Sequence, residues 1–236
     1  MRFNPPLIPA RLIRRYKRFL ADVEFPDGRH TTVHCPNTGA MLGCATQGMD
    51  IRLSTATNPD RKYSLTWELV QALPEVWVGI HTGRSNGLVR EAIQDGTLGE
   101  LSGYQVLQAE MVMSKGFRVD FKLSGHGQKP DCCLEVKNVT AAVQDGVALF
   151  PDAVSERAKR HLHELMARVK AGDRAMLCFC VQRDDVTEVR PADAIDPVYG
   201  RSFRAALDAG VEVAAYAARV SPMEIQLYRR VPVVLP

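Results

Sequence analysis

Two strand-like runs, Arg118-Val119-Asp120-Phe121 and Leu134-Glu135-Val136-Lys137, most tightly constrain what this chain can fold into. Side chains alternate across a strand, so Phe117, Val119, Phe121 and Leu123 are expected on one apolar face and Asp120 on the other. Glu135 and Lys137 share a face by the same rule, with Leu134 and Val136 behind them. The intervening Ser124-Gly125-His126-Gly127-Gln128-Lys129-Pro130 is rich in turn formers, so the runs pair as neighbours and Asp120, Glu135 and Lys137 converge. Carboxylates beside an ammonium group on one polar surface form the layout of a metal-dependent phosphodiesterase site.

The chain has 236 residues, 46% of them hydrophobic, which supports a substantial core and is read here as two domains. Net charge is only +3, from 30 basic and 27 acidic residues, so the total does not identify a polyanion partner. The distribution says more. Residues 11–18, Arg-Leu-Ile-Arg-Arg-Tyr-Lys-Arg, are basic without an acid, and Arg14, Arg15, Tyr16, Lys17 and Arg18 suit phosphate contact and base stacking. The competing reading is a charged strand edge that resists edge pairing. No apolar run is long enough to span a membrane and the N-terminus lacks a signal-peptide core, so a soluble, cytoplasmic protein without a membrane partner is expected. Six cysteines lie mostly in apolar stretches without paired spacing and read as buried thiols. A zinc site from His30, His34, Cys35 and Cys44 is disfavoured, because structural sites show tighter ligand spacing.

The first 82 residues read as five short strands broken by turns, namely Phe19–Phe25, His30–Cys35, Asp50–Ala56, Tyr63–Leu69 and Val76–Thr82. That pattern resembles an OB-like β-barrel. Residues 83–236 read as helix Asn86–Glu100, strands Tyr104–Met113, Phe117–Leu123 and Cys132–Asn138, helix Ser155–Ala171 and strand Ala175–Arg183. The fold class is therefore α/β in the α+β sense, a barrel followed by an αβββαβ unit. A further helix near Gly200–Ala209, a strand near Val211–Ala217 and an extended tail complete the chain. In the second helix Val154, Ala158, Leu162, Leu165 and Val169 form the expected core stripe, with Asp152 or Ser155 as its cap. Arg157, Lys159, Arg160 and His161 are assigned to its basic faces as DNA contacts, although such faces are also simply solvated ones.

Phosphodiester hydrolysis needs an activated water and relief for charge developing on the phosphate. Asp120 and Glu135 are the expected ligands for Mg²⁺ or Mn²⁺, with Lys137 orienting the water. Glu91 is a further candidate ligand, and Gln182 a supporting catalytic residue from the last strand of the unit. Glu-x-Lys alone is equally a surface ion pair, and only its context favours a site. A homo-oligomer is compatible with the sequence.

Seven separated blocks carry a family resemblance: Tyr16–Val23, His34–Gly39, Glu100–Tyr104, Arg118–Phe121, Glu135–Thr140, Phe150–Val154 and Glu156–Leu162. In this order they resemble the sugar fermentation stimulation protein family, SfsA, over essentially the full length. The resemblance implies an N-terminal OB-fold and a C-terminal domain similar to the PD-(D/E)xK nucleases. It also implies DNA binding without marked sequence preference and a regulatory role in sugar fermentation, notably of maltose. Asp120 falls on the first acid of the nuclease pattern and Glu135 with Lys137 on its (D/E)xK element, while Val119 stands where a proline would precede the acid. A noncatalytic DNA-binding regulator is the alternative such folds permit. A barrel that receives a sugar or small effector is a third.

Overall fold

The computed structural model describes residues 1–236 except Thr57, Pro59, Lys115 and Asp145. Strands β1 (Ile8–Tyr16), β2 (Leu20–Glu24), β3 (His30–His34), β4 (Asp50–Thr55) and β5 (Leu65–Leu73) pair in the order β3-β2-β1-β4-β5. The contact of His34 with Thr66 joins β3 to β5 and closes a five-stranded barrel, to which β6 (Val76–Gly79) is added as a hairpin partner of β5. Inward positions alternate as a barrel wall demands, so Leu12, Val23, Val33, Ile51, Leu53, Trp67 and Val70 are buried. The five strands are not the five expected. The basic stripe itself lies on β1, where the exposed Arg11 and Arg14 alternate with the buried Ala10 and Leu12; it is a strand, as the competing reading had it, but not an edge, because β1 pairs with both β2 and β4.

The second region contains α1 (Ser85–Gln94), β7 (Val106–Ser114), β8 (Phe117–Ser124), β9 (Cys132–Val139), α2 (Glu156–Lys170) and β12 (Arg174–Val181), which is the αβββαβ order. Between them lie β10 (Ala142–Gln144) and β11 (Val147–Phe150), and after them β13 (Glu188–Pro191), α3 (Pro197–Asp208), β14 (Glu212–Val220) and β15 (Ile225–Val231). The main sheet runs β15-β14-β12-β9-β8-β7, with β9, β12 and β14 parallel and so buried on both faces. Helices α2 and α3 cover one face through Leu162, Leu165, Tyr199 and Phe203. Helix α1 covers the other through Leu88, Val89 and Ala92, and Leu69 of β5 packs into that same core, so the barrel wall and the sheet share apolar surface.

Several boundaries differ from expectation for local reasons. Helix α1 stops at Gln94 rather than Glu100, because Gly96 adopts φ +81° and a short 3-10 turn, Gly99–Leu101, follows. Helix α3 starts at Pro197, where Asp196 accepts the Tyr199 N–H at 2.9 Å and proline suits the first turn. Ser155, of the two candidate caps, accepts the Ala158 N–H at 3.1 Å and starts α2. Val154 lies before the helix and is 65% exposed, so it is not part of the core stripe. The three short strands β10, β11 and β13 form a separate small sheet that the sequence pattern did not reveal. Among the described residues no helix is long and apolar enough to cross a membrane.

Candidate functional site

Strands β8 and β9 pair only as far as Phe121 opposite Leu134, and beyond that point they fork. Asp120 is the first residue in the fork. Its Oδ2 accepts the Val136 N–H at 2.7 Å, replacing the backbone partner that β9 has lost, and its Oδ1 accepts the Asn86 side-chain amide at 2.9 Å. The fork also divides the expected apolar face: Phe117 and Val119 join the core under α2, whereas Phe121 and Leu123 join the core under α1.

Glu135 lies on β9, between β8 and β12, and is only 3% exposed. Its Oε1 accepts from the Lys137 ammonium at 2.6 Å and is hydrogen-bonded to His161 Nδ1. Arg157 Nε, which can only donate, approaches His161 Nε2 at 3.3 Å, so Nε2 is the acceptor and the Nδ1 proton faces Glu135. The other glutamate oxygen, Oε2, is buried without a hydrogen-bond partner among the described residues. Burial raises the pKa of Asp120, and the nearby Glu135 charge raises it further. Burial also pushes Glu135 upward, but the His161 hydrogen bond and the Lys137 charge outweigh it and hold that carboxyl below its usual range. Two neighbouring acids are thus driven in opposite directions, a pattern that concentrates at functional sites.

Asp120, Glu135, Lys137, Asn86 and Asn138 line one open cavity of about 540 Å³, with Arg157 on its wall. Asp120 and Glu135 on that cavity, with one unpartnered buried carboxylate oxygen, fit a small oxygen-preferring divalent cation. A third acid, Glu110, also lines the cavity but pairs with Arg118 at 3.4 Å, and among the described residues no group of three or more His, Cys, Asp or Glu is arranged to hold a metal, which leaves Asp120 and Glu135. An octahedral cation that keeps several waters needs no more than this.

The other anticipated residues are distributed differently. Gln182 is fully buried and lies behind the cavity rather than on it, donating to Asn138 Oδ1 at 2.5 Å. Glu91 accepts from the N-terminal ammonium at 2.7 Å, on a side of α1 that does not line the cavity, and so cannot serve as a third ligand. His161 is 5% exposed and belongs to the Glu135 cluster rather than to an open DNA-contacting face. Helical spacing contained that signal, since Ala158, His161, Leu162 and Leu165 follow the i, i+3, i+4, i+7 rule. Lys159 is also buried and paired with Glu156 at 2.5 Å. On β1, Arg15 is occupied by the carbonyls of Arg18, Asn37 and Gly39, and the Tyr16 hydroxyl by Asp22 at 3.0 Å. Arg14 is exposed but pairs with Asp22. Lys17, Arg18, Arg157 and Arg160 remain exposed at the surface. Asn86 and Asn138 were missed, because nothing in their spacing marks an amide that props a carboxylate or lines a cavity. Cys35 bonds Met41 Sδ, Cys44 faces the Thr140 carbonyl and His30 pairs with Glu24, and among the described residues these side chains are not grouped to hold a metal.

Two family models match the chain in succession: the SfsA N-terminal OB domain over residues 13–80 and the sugar fermentation stimulation protein RE domain over residues 83–224. A sugar fermentation stimulation protein homolog from Alkalilimnicola ehrlichii is 54% identical over 238 residues, covering 100% of both chains. The homolog from Halorhodospira halophila is 57% identical over 217 residues, covering 91% of this chain and 90% of that one. Among solved structures, Pyrococcus furiosus SfsA in complex with Ca²⁺ superposes with a TM-score of 0.87 at 24% identity, covering 99% of this chain and 98% of that one. That likeness shows the fold, an OB-type barrel followed by a mixed sheet with helices.

Proposed function

Because this chain belongs to the sugar fermentation stimulation protein family, we propose that it binds DNA and cleaves phosphodiester bonds with the help of Mg²⁺ or Mn²⁺ at Asp120 and Glu135. The observation that carries this reading is Glu135, which lines an open cavity together with Asp120 and keeps its buried Oε2 without a hydrogen-bond partner among the described residues. An orphaned buried carboxylate oxygen is costly in a finished fold, and a cation would complete it. When bound, such a cation supplies Lewis-acid stabilisation of the charge that develops on the phosphate. The Ca²⁺ of the Pyrococcus furiosus relative belongs to the same class of hard, oxygen-liganded cations.

The chain's own groups divide the remaining work. Asn86 and the Val136 N–H fix the Asp120 carboxylate in the fork. His161 holds Glu135 in orientation, and Arg157 fixes the histidine tautomer. The Lys137 ammonium, 2.6 Å from Glu135, can orient the attacking water and offset negative charge on the phosphate. Exposed Lys17, Arg18, Arg157 and Arg160 hold the backbone without reading sequence.

A second reading has one observation in its favour: the Lys137 ammonium already pairs with Glu135, and His161 hydrogen-bonds the same oxygen, as they would in a fold kept only for binding DNA in the regulation of sugar fermentation. Supercoiled plasmid incubated with purified protein and Mg²⁺ or Mn²⁺ separates the two. Nicking that disappears in Glu135→Ala supports cleavage; intact plasmid across metals, with DNA still bound, leaves the noncatalytic regulator.

A further inference from the structure

The carboxylate cavity does not end at Asn138. A second cavity of about 250 Å³ shares Asn138 and Thr82 with it as wall residues and extends to Arg18, Thr38 and Asp152. One wall of this extension comes from the barrel and the other from the segment between β11 and α2. The two are clamped together: Asp152 Oδ2 accepts the Met41 N–H at 3.1 Å, and a Cβ on Gly39 would lie 2.3 Å from that same oxygen. A side chain at Gly39 would force the Asp152 carboxylate away from this position, so glycine permits the approach. Asp152 is the one carboxylate on this stretch, and its Oδ2 is already engaged by the Met41 N–H.

At the barrel end stands the tip of the β1–β2 hairpin, where Lys17 and Arg18 both adopt positive φ, 50° and 63°. Left-handed conformations in non-glycine residues are unfavourable and persist when surrounding structure imposes them. The imposing group is Arg15, whose Nη2 donates to the carbonyls of Arg18, Asn37 and Gly39 at 2.9, 2.9 and 2.8 Å. Arg18 is thereby fixed on the rim, and no carboxylate among the described residues pairs with its guanidinium. Next to it, Phe19 leaves 46% of its surface exposed. At the opposite end, exposed Arg157 lines the carboxylate cavity.

We infer that the two joined cavities form one track for an unpaired nucleic-acid strand, running from Arg157 past Asp120 and Glu135, over Asn138 and Thr82, to Arg18 and Phe19. This rests on the nucleic-acid reading above and adds to it the substrate class, a single-stranded segment rather than a duplex. Separate cationic groups at the two ends meet the backbone, and the exposed Phe19 ring, next in sequence to Arg18 and outside the cavity lining, offers a stacking platform. Asn138 is suited to the middle of the track, because its carbonyl oxygen is taken by Gln182 and Ser85 while its amide side is left to face the groove.

The test is fluorescence anisotropy in EDTA at low salt, using one labelled DNA oligonucleotide both unpaired and as a blunt duplex. Wild type is expected to bind the unpaired form more tightly. Phe19→Ala and Arg18→Ala are each expected to weaken it roughly fivefold or more, with Phe19→Trp retaining binding. Arg201→Ala, an exposed charge on α3, is expected to leave it unchanged. Equal or tighter duplex binding, or hairpin variants that bind the unpaired strand like wild type, would overturn the track and leave DNA binding standing. Failure to bind either form would remove both.

Discussion

The barrel and the mixed sheet each bury one glutamate on a strand, Glu68 at 1% exposure on β5 and Glu135 at 3% on β9, and treat it in opposite ways. Glu68 is complete. Its Oε1 accepts from Ser54 Oγ at 2.6 Å and from Arg84 Nη2 at 2.6 Å, and its Oε2 accepts from Arg84 Nε at 3.1 Å. The bidentate arginine comes from the turn leading into α1, so this acid ties the barrel to the next element. Glu135 instead crowds Lys137 and His161 onto one oxygen and leaves the other bare. Burial of a carboxylate therefore does not distinguish scaffold from site. The two acids differ in that Glu135 lines a cavity with one oxygen unpartnered among the described residues, the feature on which the proposed site rests.

Neutralising the ammonium in the unfinished cluster has the largest expected effect. Lys137→Met is expected to slow plasmid nicking by about 10²–10³-fold, the magnitude of losing one preorganised charge, while Glu68→Gln leaves the rate per folded molecule near wild type. Similar losses in both would make the two acids equivalent. The next largest effect is on stability. Glu68→Ala strands Arg84 and is expected to cost about 3 kcal/mol. For a chain of this size that is a fall in Tm of about 6–12 °C by calorimetry. An unchanged Tm would show that the completed cluster contributes nothing.

Asp120→Asn should act in the opposite direction. Because burial and the Glu135 charge raise the Asp120 pKa, its ionised form is disfavoured in the folded state, and the resulting destabilisation is present above the folded pKa. It fades as pH falls toward the ordinary aspartate range, where the folded and unfolded chains are both protonated at this residue. At neutral pH Asp120→Asn is therefore expected to raise Tm by about 2–4 °C, the shift for ~1 kcal/mol, with the gain shrinking in mild acid. The asparagine can still accept from the Val136 N–H, and a rotated Asn86 amide can accept from it. A lower Tm at neutral pH would contradict this assignment. The smallest effect belongs to Glu91→Ala, which removes only a partly exposed pair with the N-terminus. It is expected to change stability by about 0.5 kcal/mol or less and nicking not at all, where a third metal ligand would show a large loss.

Much of this arrangement was written in local patterns. Alternation placed Glu135 and Lys137 on one face, and 3.6-residue spacing marked α2 and its core residues Ala158, Leu162 and Leu165. The αβββαβ order and the run of apolar residues in β12 followed from the same periodicities. These features depend on neighbours within a strand or a turn of helix, so the chain by itself determines them. Family membership was legible for a similar reason, being carried by short ordered blocks.

What the tertiary structure alone decided are the relations between distant segments. The fork that turns Asp120 inward exists because β8 leaves β9 at Phe121, a choice of register that no alternation rule contains. His161 became a partner of Glu135, and Arg15 a clamp on the residue 37–39 loop, only when elements separated along the chain were packed together. Charge in a sequence records how many cations a segment carries, whereas hydrogen-bond satisfaction decides which remain free. Such contacts are why Arg15 is spent on the fold while Arg18, without a carboxylate partner among the described residues, and Arg157, although it donates to His161, stay exposed on the groove.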